Sequence, residues 1–156
     1  MNLLLLTLQP SVRLCIIAAG VFFSSGLLTG VWKYAHIARS ANATSPVYVD
    51  IAHRTSLLYS FAALLLAVFA RLSAWDERSN WWAAAIPLAF FGAAIGGYVI
   101  HGILRDTDNQ FLKPHKIGPV ALPKGGLLAF MLLLMLGEIG GFAVLFAGTL
   151  RSFGCL

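Results

Sequence analysis

Charge is the scarcest property of this chain. Of its 156 residues only 11% are Asp, Glu, Lys or Arg, whereas 59% are hydrophobic, and a soluble domain carries about 25% charged residues. This shortage excludes an ordinary soluble globular domain and predicts an integral membrane protein. The length leaves room for one domain, so residues 1–156 are expected to form a single membrane unit.

Cysteine and the familiar catalytic motifs are also scarce or missing. The two cysteines, Cys15 and Cys155, lie far apart in the sequence and no C-x-x-C occurs, which excludes a thiol redox pair or a zinc site of the common spacings. The chain has no H-E-x-x-H, no G-x-S-x-G and no phosphate-binding loop. In a membrane protein, basic residues mainly reflect the topology of the loops, so the net charge of +5 does not indicate nucleic-acid binding. No nucleic-acid partner is therefore expected.

Long apolar runs are what the sequence does have. Four windows are long enough to cross a hydrocarbon core of about 30 Å, and they are residues 12–32, 50–70, 82–104 and 124–150. We therefore expect an all-α, four-helix transmembrane bundle whose principal partner is the lipid bilayer. Residues 1–9 are expected to lie in the interface or to lengthen the first span.

All four histidines fall on one side of the membrane in this arrangement. Antiparallel spans put both termini and the 71–81 loop on one face, and the 33–49 and 105–123 loops on the other. The second face, called here the histidine face, holds His36, His53, His101 and His115. Most lysines and arginines lie there too, so the positive-inside rule predicts that this face is cytoplasmic. The membrane itself is expected to be a bacterial inner membrane. His36 and His115 are expected in loops.

Polar side chains recur at helical spacing toward the histidine face. They form three stripes, which are Ser25, Thr29, Trp32 and His36 on the first span, Asp50, His53, Ser56 and Ser60 on the second, and Tyr98, His101 and Arg105 on the third. Polar stripes in lipid face the bundle interior or a partner subunit, so they predict a polar pocket open to this face.

Glycine pairs at G-x-x-x-G spacing predict close helix packing and a homo-oligomer. These pairs are Gly26 with Gly30, Gly92 with Gly96, and Gly137 with Gly141.

The sequence VDIAHR opens the second span with three ionisable groups. A neutral imidazole such as that of His53 is a common iron or zinc ligand. Asp50, one turn earlier, is expected to accept the second ring N–H of His53 and to fix its tautomer. Lys33, Arg39 and Arg54 are the cations expected to pair with the propionates of a haem. Without a cofactor, Asp50 would act as an ordinary helix-start acid, favoured by the helix dipole.

Glu138 is expected near the bilayer midplane, about 20 Å from both Lys124 and Arg151 at helical rise. An ionised carboxylate is costly at that depth, so a partner is expected from Ser24, Ser60 or a tyrosine of another helix. Two interpretations stay open. Glu138 either handles a proton or polarises a substrate, or it is a neutral acid that hydrogen-bonds between helices.

Two segments carry a likeness to a known family. With IAHRTSLLYSF in the second span and GGYVIHG in the third, the four-span chain resembles the membrane-bound styrene oxide isomerases. The resemblance implies a trimer with haem b at its subunit interfaces. The iron of that haem acts as a Lewis acid on an epoxide oxygen, and ring opening with a hydride shift gives a carbonyl compound.

Site residues follow from this resemblance by position. It implies that His53 is the axial haem ligand and that Tyr98 orients a lipophilic substrate. Tyr59 stands where the family has Asn, and its hydroxyl can also donate a hydrogen bond. His101, where the third span enters the apolar core, completes the candidate catalytic set.

Two other functions stay open on the sequence. A small b-type haem or quinone-linked redox subunit would ligate one iron through two histidines, such as His53 and His101. A non-enzymatic membrane accessory protein would use the same residues for packing and would bind no cofactor.

Overall fold

The computed structural model describes residues 8–156, which form four long helices and one short hairpin. The elements are α1 (Pro10–Ile37), α2 (Val47–Leu72), α3 (Glu77–Leu104), β1 (Lys116–Ile117), β2 (Val120–Ala121) and α4 (Gly126–Ser152). Each helix is long and apolar enough to cross a membrane. The expected all-α multi-pass bundle is confirmed. The expectation for residues 1–9 falls mainly on 1–7, which lie outside the described residues.

Polar side chains satisfy the first turns of α1 and α3. α1 begins at Pro10, whose missing N–H costs nothing at a first helical position. The backbone N–H and hydroxyl of Ser11 donate to the carboxylate of Glu77 at 2.6 and 3.0 Å. That carboxylate satisfies the start of a neighbouring helix and favours its dipole. Asp76 caps α3 by accepting from the backbone N–H of Ser79 at 3.1 Å.

Small residues allow the helices to approach closely. α1 packs most extensively on α2, and a Cβ at Gly26 would lie 2.6 Å from the Leu57 side chain. α4 buries only four residues, Gly141, Leu145, Gly148 and Thr149. Gly26 and Gly141 therefore mediate the close packing expected of them. Within residues 8–156, Gly96 has nothing within 4 Å of its Cβ position, so this glycine makes no such contact there.

Two details of the histidine face differ from expectation. His36 lies in the last turn of α1, because the helix continues five residues beyond the predicted end of the span. The loop after α3 contains the unpredicted antiparallel hairpin, which pairs Lys116 with Ala121 and Ile117 with Val120. His115 lies in the loop before β1, as expected.

Candidate functional site

A ladder of polar contacts joins α1 to α2 and runs toward the histidine face. Its rungs are Ser25 Oγ with Ser56 Oγ at 3.4 Å, the Gly26 carbonyl with His53 Nδ1 at 2.8 Å, and Lys33 Nζ with Asp50 Oδ1 at 2.5 Å. The polar stripes of the first two spans therefore face each other. Polar groups in lipid favour such mutual contact, since the alternative is an unsatisfied group in hydrocarbon.

His53 is held in a defined orientation by this ladder. The Gly26 carbonyl can only accept, so Nδ1 of His53 carries the hydrogen and donates it at 2.8 Å. In the neutral ring, Nε2 then has a free lone pair. A Cβ at Gly30 would lie 2.9 Å from Cε1 of His53, so the absence of a side chain at Gly30 makes room for the imidazole. The half-buried ring therefore has a fixed orientation, with Nε2 directed away from this hydrogen bond.

The expectation that Asp50 orients His53 is wrong. Its two oxygens instead face Lys33 at 2.5 Å and Arg54 at 3.6 Å. A carboxylate gains more from a cationic donor than from a neutral ring N–H. The backbone of Gly26 therefore takes the orienting role, which backbone carbonyls commonly fill beside ligand histidines.

The three cations expected to serve one cofactor lie in different surroundings. Lys33 is held by Asp50. The side chain of Arg54 is 72% exposed and meets Asp50 only at 3.6 Å. Arg39 lines a separate pocket beside His36 and Arg105. Of the three, Arg54 is the one adjacent to His53 in the chain and still accessible.

Tyr59, Tyr98 and Glu138 form a second group of polar side chains, on α2, α3 and α4. Neither tyrosine hydroxyl has a hydrogen-bond partner within residues 8–156, and Oε1 of Glu138 is buried without one in the same range. The Tyr59 ring is stacked on Phe91 at 4.1 Å. Within residues 8–156 Glu138 therefore has no hydrogen bond to the serines or tyrosines expected as its partners.

His101 belongs to a buried contact with the loop that follows α3. Its Nδ1 lies 2.8 Å from Oδ1 of Asp106, whose Oδ2 accepts the backbone N–H of Gly118 at 2.5 Å. Burial raises the pKa of the Asp106 carboxyl, but the hydrogen bonds from His101 and Gly118 outweigh burial and lower this pKa below its usual value. The contact attaches the hairpin to the end of α3, and sequence spacing did not indicate it.

Tyr48 connects His101 to Tyr98 and was missed by sequence reasoning. Its ring lies 4.9 Å from that of His101 and 6.0 Å from that of Tyr98, measured between centroids. Its hydroxyl accepts the backbone N–H of Gln110 at 2.6 Å. The only sequence signal is a tyrosine at the start of a span, and such tyrosines are common interfacial anchors. Tyr48 therefore links the rings of His101 and Tyr98 by direct contact.

The donor set restricts the metal chemistry. Within residues 8–156, no three His, Cys, Asp or Glu side chains converge as a metal site. Tetrahedral zinc and calcium sites built wholly from these side chains need such a group. Haem brings four nitrogen ligands of its own, so a single histidine suffices to hold it.

Compared with protein-family models, with curated proteins and with solved structures, the chain matches none. The fold and the side chains define a four-helix membrane protein in which two histidines, His53 and His101, are each held through Nδ1. Within residues 8–156 it also has a buried carboxyl oxygen without a partner, on Glu138.

Proposed function

We propose that the protein is a membrane isomerase that binds haem b through His53 and converts a lipophilic epoxide into a carbonyl compound. One observation carries the proposal, which is the 2.8 Å contact between His53 Nδ1 and the Gly26 carbonyl. This contact leaves the lone pair of Nε2 free to bind a metal in the neutral ring. Ligand histidines are typically oriented in this way, by a hydrogen bond from the nitrogen that does not bind the metal.

The residues near His53 fit a haem in part. Nε2 suits the axial position, and the exposed guanidinium of Arg54 suits a propionate. Lys33 and Asp50 neutralise each other, so we assign them to the α1–α2 contact and not to the cofactor. The proposed haem lies between copies of a homo-oligomer, which we propose to be a trimer.

A groove between α1 and α2 suits the substrate. It has a volume of about 450 Å³ and is lined by apolar side chains together with Ser60. Ser60 follows His53 by seven residues on the same helix face, so the groove lies about 10 Å deeper in the membrane. Epoxides without charge partition into lipid and can reach this groove from the bilayer.

The proposed reaction conserves every atom of the substrate. When bound, haem iron supplies Lewis acidity to the epoxide oxygen. One C–O bond breaks, a hydride moves from the carbon that keeps the oxygen to its neighbour, and a C=O bond forms. No oxidant, reductant or water is consumed.

In this proposal the protein orients the substrate and excludes water from the reaction. We assign the hydroxyls of Tyr98 and Tyr59 the role of donating hydrogen bonds to a substrate oxygen, although neither side chain lines the groove between α1 and α2. The apolar groove excludes the water that would otherwise hydrolyse a cationic centre. We assign His101 the role of positioning Tyr98 through its contact with Tyr48.

The visible spectrum of the protein in mild detergent, oxidised and then reduced with dithionite, tests the proposal. We expect stoichiometric haem b in the wild type, loss of haem in His53→Ala, and retention in the control His115→Ala, whose loop position is remote from the ladder. A colourless wild type after expression with haem supplied overturns the proposal and leaves an accessory membrane protein. Retained haem in His53→Ala removes His53 as the ligand. Conversion of an added epoxide to a carbonyl compound tests the activity itself.

A redox subunit is the second candidate, and His101 favours it. The Asp106 carboxylate on Nδ1 leaves Nε2 of His101 available, an arrangement found in ligated histidines. A six-coordinate low-spin spectrum that added imidazole does not change would support this candidate. An open sixth position would support the isomerase.

A further inference from the structure

We propose that the histidine face carries a binding pocket for a phosphate group, separate from the proposed haem site. The pocket has a volume of about 600 Å³ and lies between the end of α1, the loop that follows it and the end of α3. The side chains that matter here are His36, Arg39, Thr44, Ser45, Arg105 and Asp108. They bring two guanidinium groups, an imidazole and two hydroxyls to one concave surface.

The two arginines in this pocket have no carboxylate partner. The ion pairs within residues 8–156 engage Lys33, Arg54 and His101. Neither Arg39 nor Arg105 lies within 4.0 Å of a carboxylate in that part of the chain. Asp108 contributes to the pocket wall but stands beyond this distance. The pocket therefore holds uncompensated positive charge, which favours an anion.

Arg105 stands at the end of α3, in the wall of the pocket. It ends α3 with φ at 51°, a left-handed conformation that favours glycine at helix ends. Its Nη2 lies 3.4 Å from both ring nitrogens of His36, so the guanidinium stands against an imidazole and not against a carboxylate. An anion between Arg105 and Arg39 would compensate the charge of this contact.

The donor types point to phosphate. A guanidinium presents a planar pair of donors that matches two phosphate oxygens, and the hydroxyls of Thr44 and Ser45 can donate to the others. The pocket opens where helix ends meet the membrane interface, and basic pockets in such positions bind phospholipid head groups. A free phosphate has the same chemistry, so the two sources must be separated by experiment.

Two titrations in a nonionic detergent separate these sources, with thermal unfolding followed by tryptophan fluorescence. One adds inorganic phosphate. The other adds mixed micelles of phosphatidylglycerol, with phosphatidylcholine micelles as the uncharged reference. We expect phosphatidylglycerol to stabilise the wild type and phosphatidylcholine to have no such effect. Stabilisation by inorganic phosphate, with the same dependence on the arginines, would assign the pocket to a free phosphate.

Charge variants test the location. Arg39→Gln and Arg105→Gln should each weaken the apparent affinity about fivefold, the effect of removing one basic residue near an anionic head group. Arg78→Gln, an exposed arginine at the opposite membrane face, should bind like the wild type. Arg39→Lys keeps the charge and should bind better than Arg39→Gln, which separates charge loss from misfolding. Equal affinity in all variants, or no response to either anion, overturns the proposal.

Discussion

Two adjacent glycines of α4 should respond to alanine with opposite signs. In the part of the chain that the structure describes, a Cβ at Gly140 meets nothing within 4 Å, whereas a Cβ at Gly141 would lie 2.5 Å from the carbonyl oxygen of Ala83 and 2.5 Å from the Pro87 ring. Both substitutions add one methyl group to the same helix. Only the neighbouring atoms differ, so the pair isolates the packing of α4 on α3.

The expected magnitudes follow from two opposing effects. Alanine in place of helical glycine stabilises by about 1 kcal/mol, and Gly140→Ala should show that gain. Overpacking costs about 1–3 kcal/mol, and Gly141→Ala should fall at the upper end because a backbone carbonyl and a proline ring cannot rotate away. The net effect is about 2 kcal/mol of destabilisation. The two variants should then differ by about 3 kcal/mol, or roughly 150-fold in the unfolding equilibrium.

Unfolding by sodium dodecyl sulfate from a mild detergent, followed by far-ultraviolet circular dichroism, measures this difference. Gly96→Ala in α3 is a further control, because a Cβ there also meets nothing within 4 Å. Equal stability of the Gly140 and Gly141 variants would refute the close approach of α4 to α3. Destabilisation by Gly140→Ala in a monomeric preparation would refute its assignment to open surface.

Two further predictions use the same unfolding assay. Asp106→Asn should destabilise by about 1–3 kcal/mol, because the buried carboxylate that joins His101 to Gly118 loses its charge. The pKa of Asp106 is lower in the folded protein than its unfolded value of 3.8, so its contribution is full above that value and is lost as pH falls through the folded pKa. Wild type and variant should therefore converge in acid, and a constant difference down to pH ~2 would contradict this reasoning. Glu138→Leu should stabilise by about 1 kcal/mol, since it removes a buried oxygen without a partner. Destabilisation would instead reveal a partner for that carboxyl.

The helices could be predicted from sequence because their cause is local. An apolar run longer than the bilayer core must form a helix, since only a helix satisfies its backbone groups within one segment. The rotation of each helix about its axis is determined instead by contacts with the other helices. Asp50 lay one turn from His53 in the sequence, but the orientation of α1 brought Lys33 to Asp50 and the Gly26 carbonyl to His53. No pattern within α2 alone indicates which groups of α1 will contact Asp50 and His53.

The structure of the loop after α3 is even harder to predict from its own sequence. Its contact with His101 depends on Asp106 and on the backbone of Gly118, twelve residues later. The hairpin has two residues in each strand, too few for an alternation of polar and apolar residues to be recognised. Tyr48 could not be identified as a candidate from the sequence, because its contacts with Tyr98 and His101 form only where α2 packs on α3.

The polar ladder also sets the axial register of the first helical hairpin. Sliding α2 along α1 by one turn, about 5.4 Å, would leave apolar surface against apolar surface but would separate all three rungs at once. Apolar contacts between helices in lipid discriminate poorly among such registers, since lipid tails are as apolar as leucine. The Gly26–His53 rung therefore fixes the depth of the imidazole relative to α1, and a slip of one turn would carry the ring past its acceptor by a whole turn of helix.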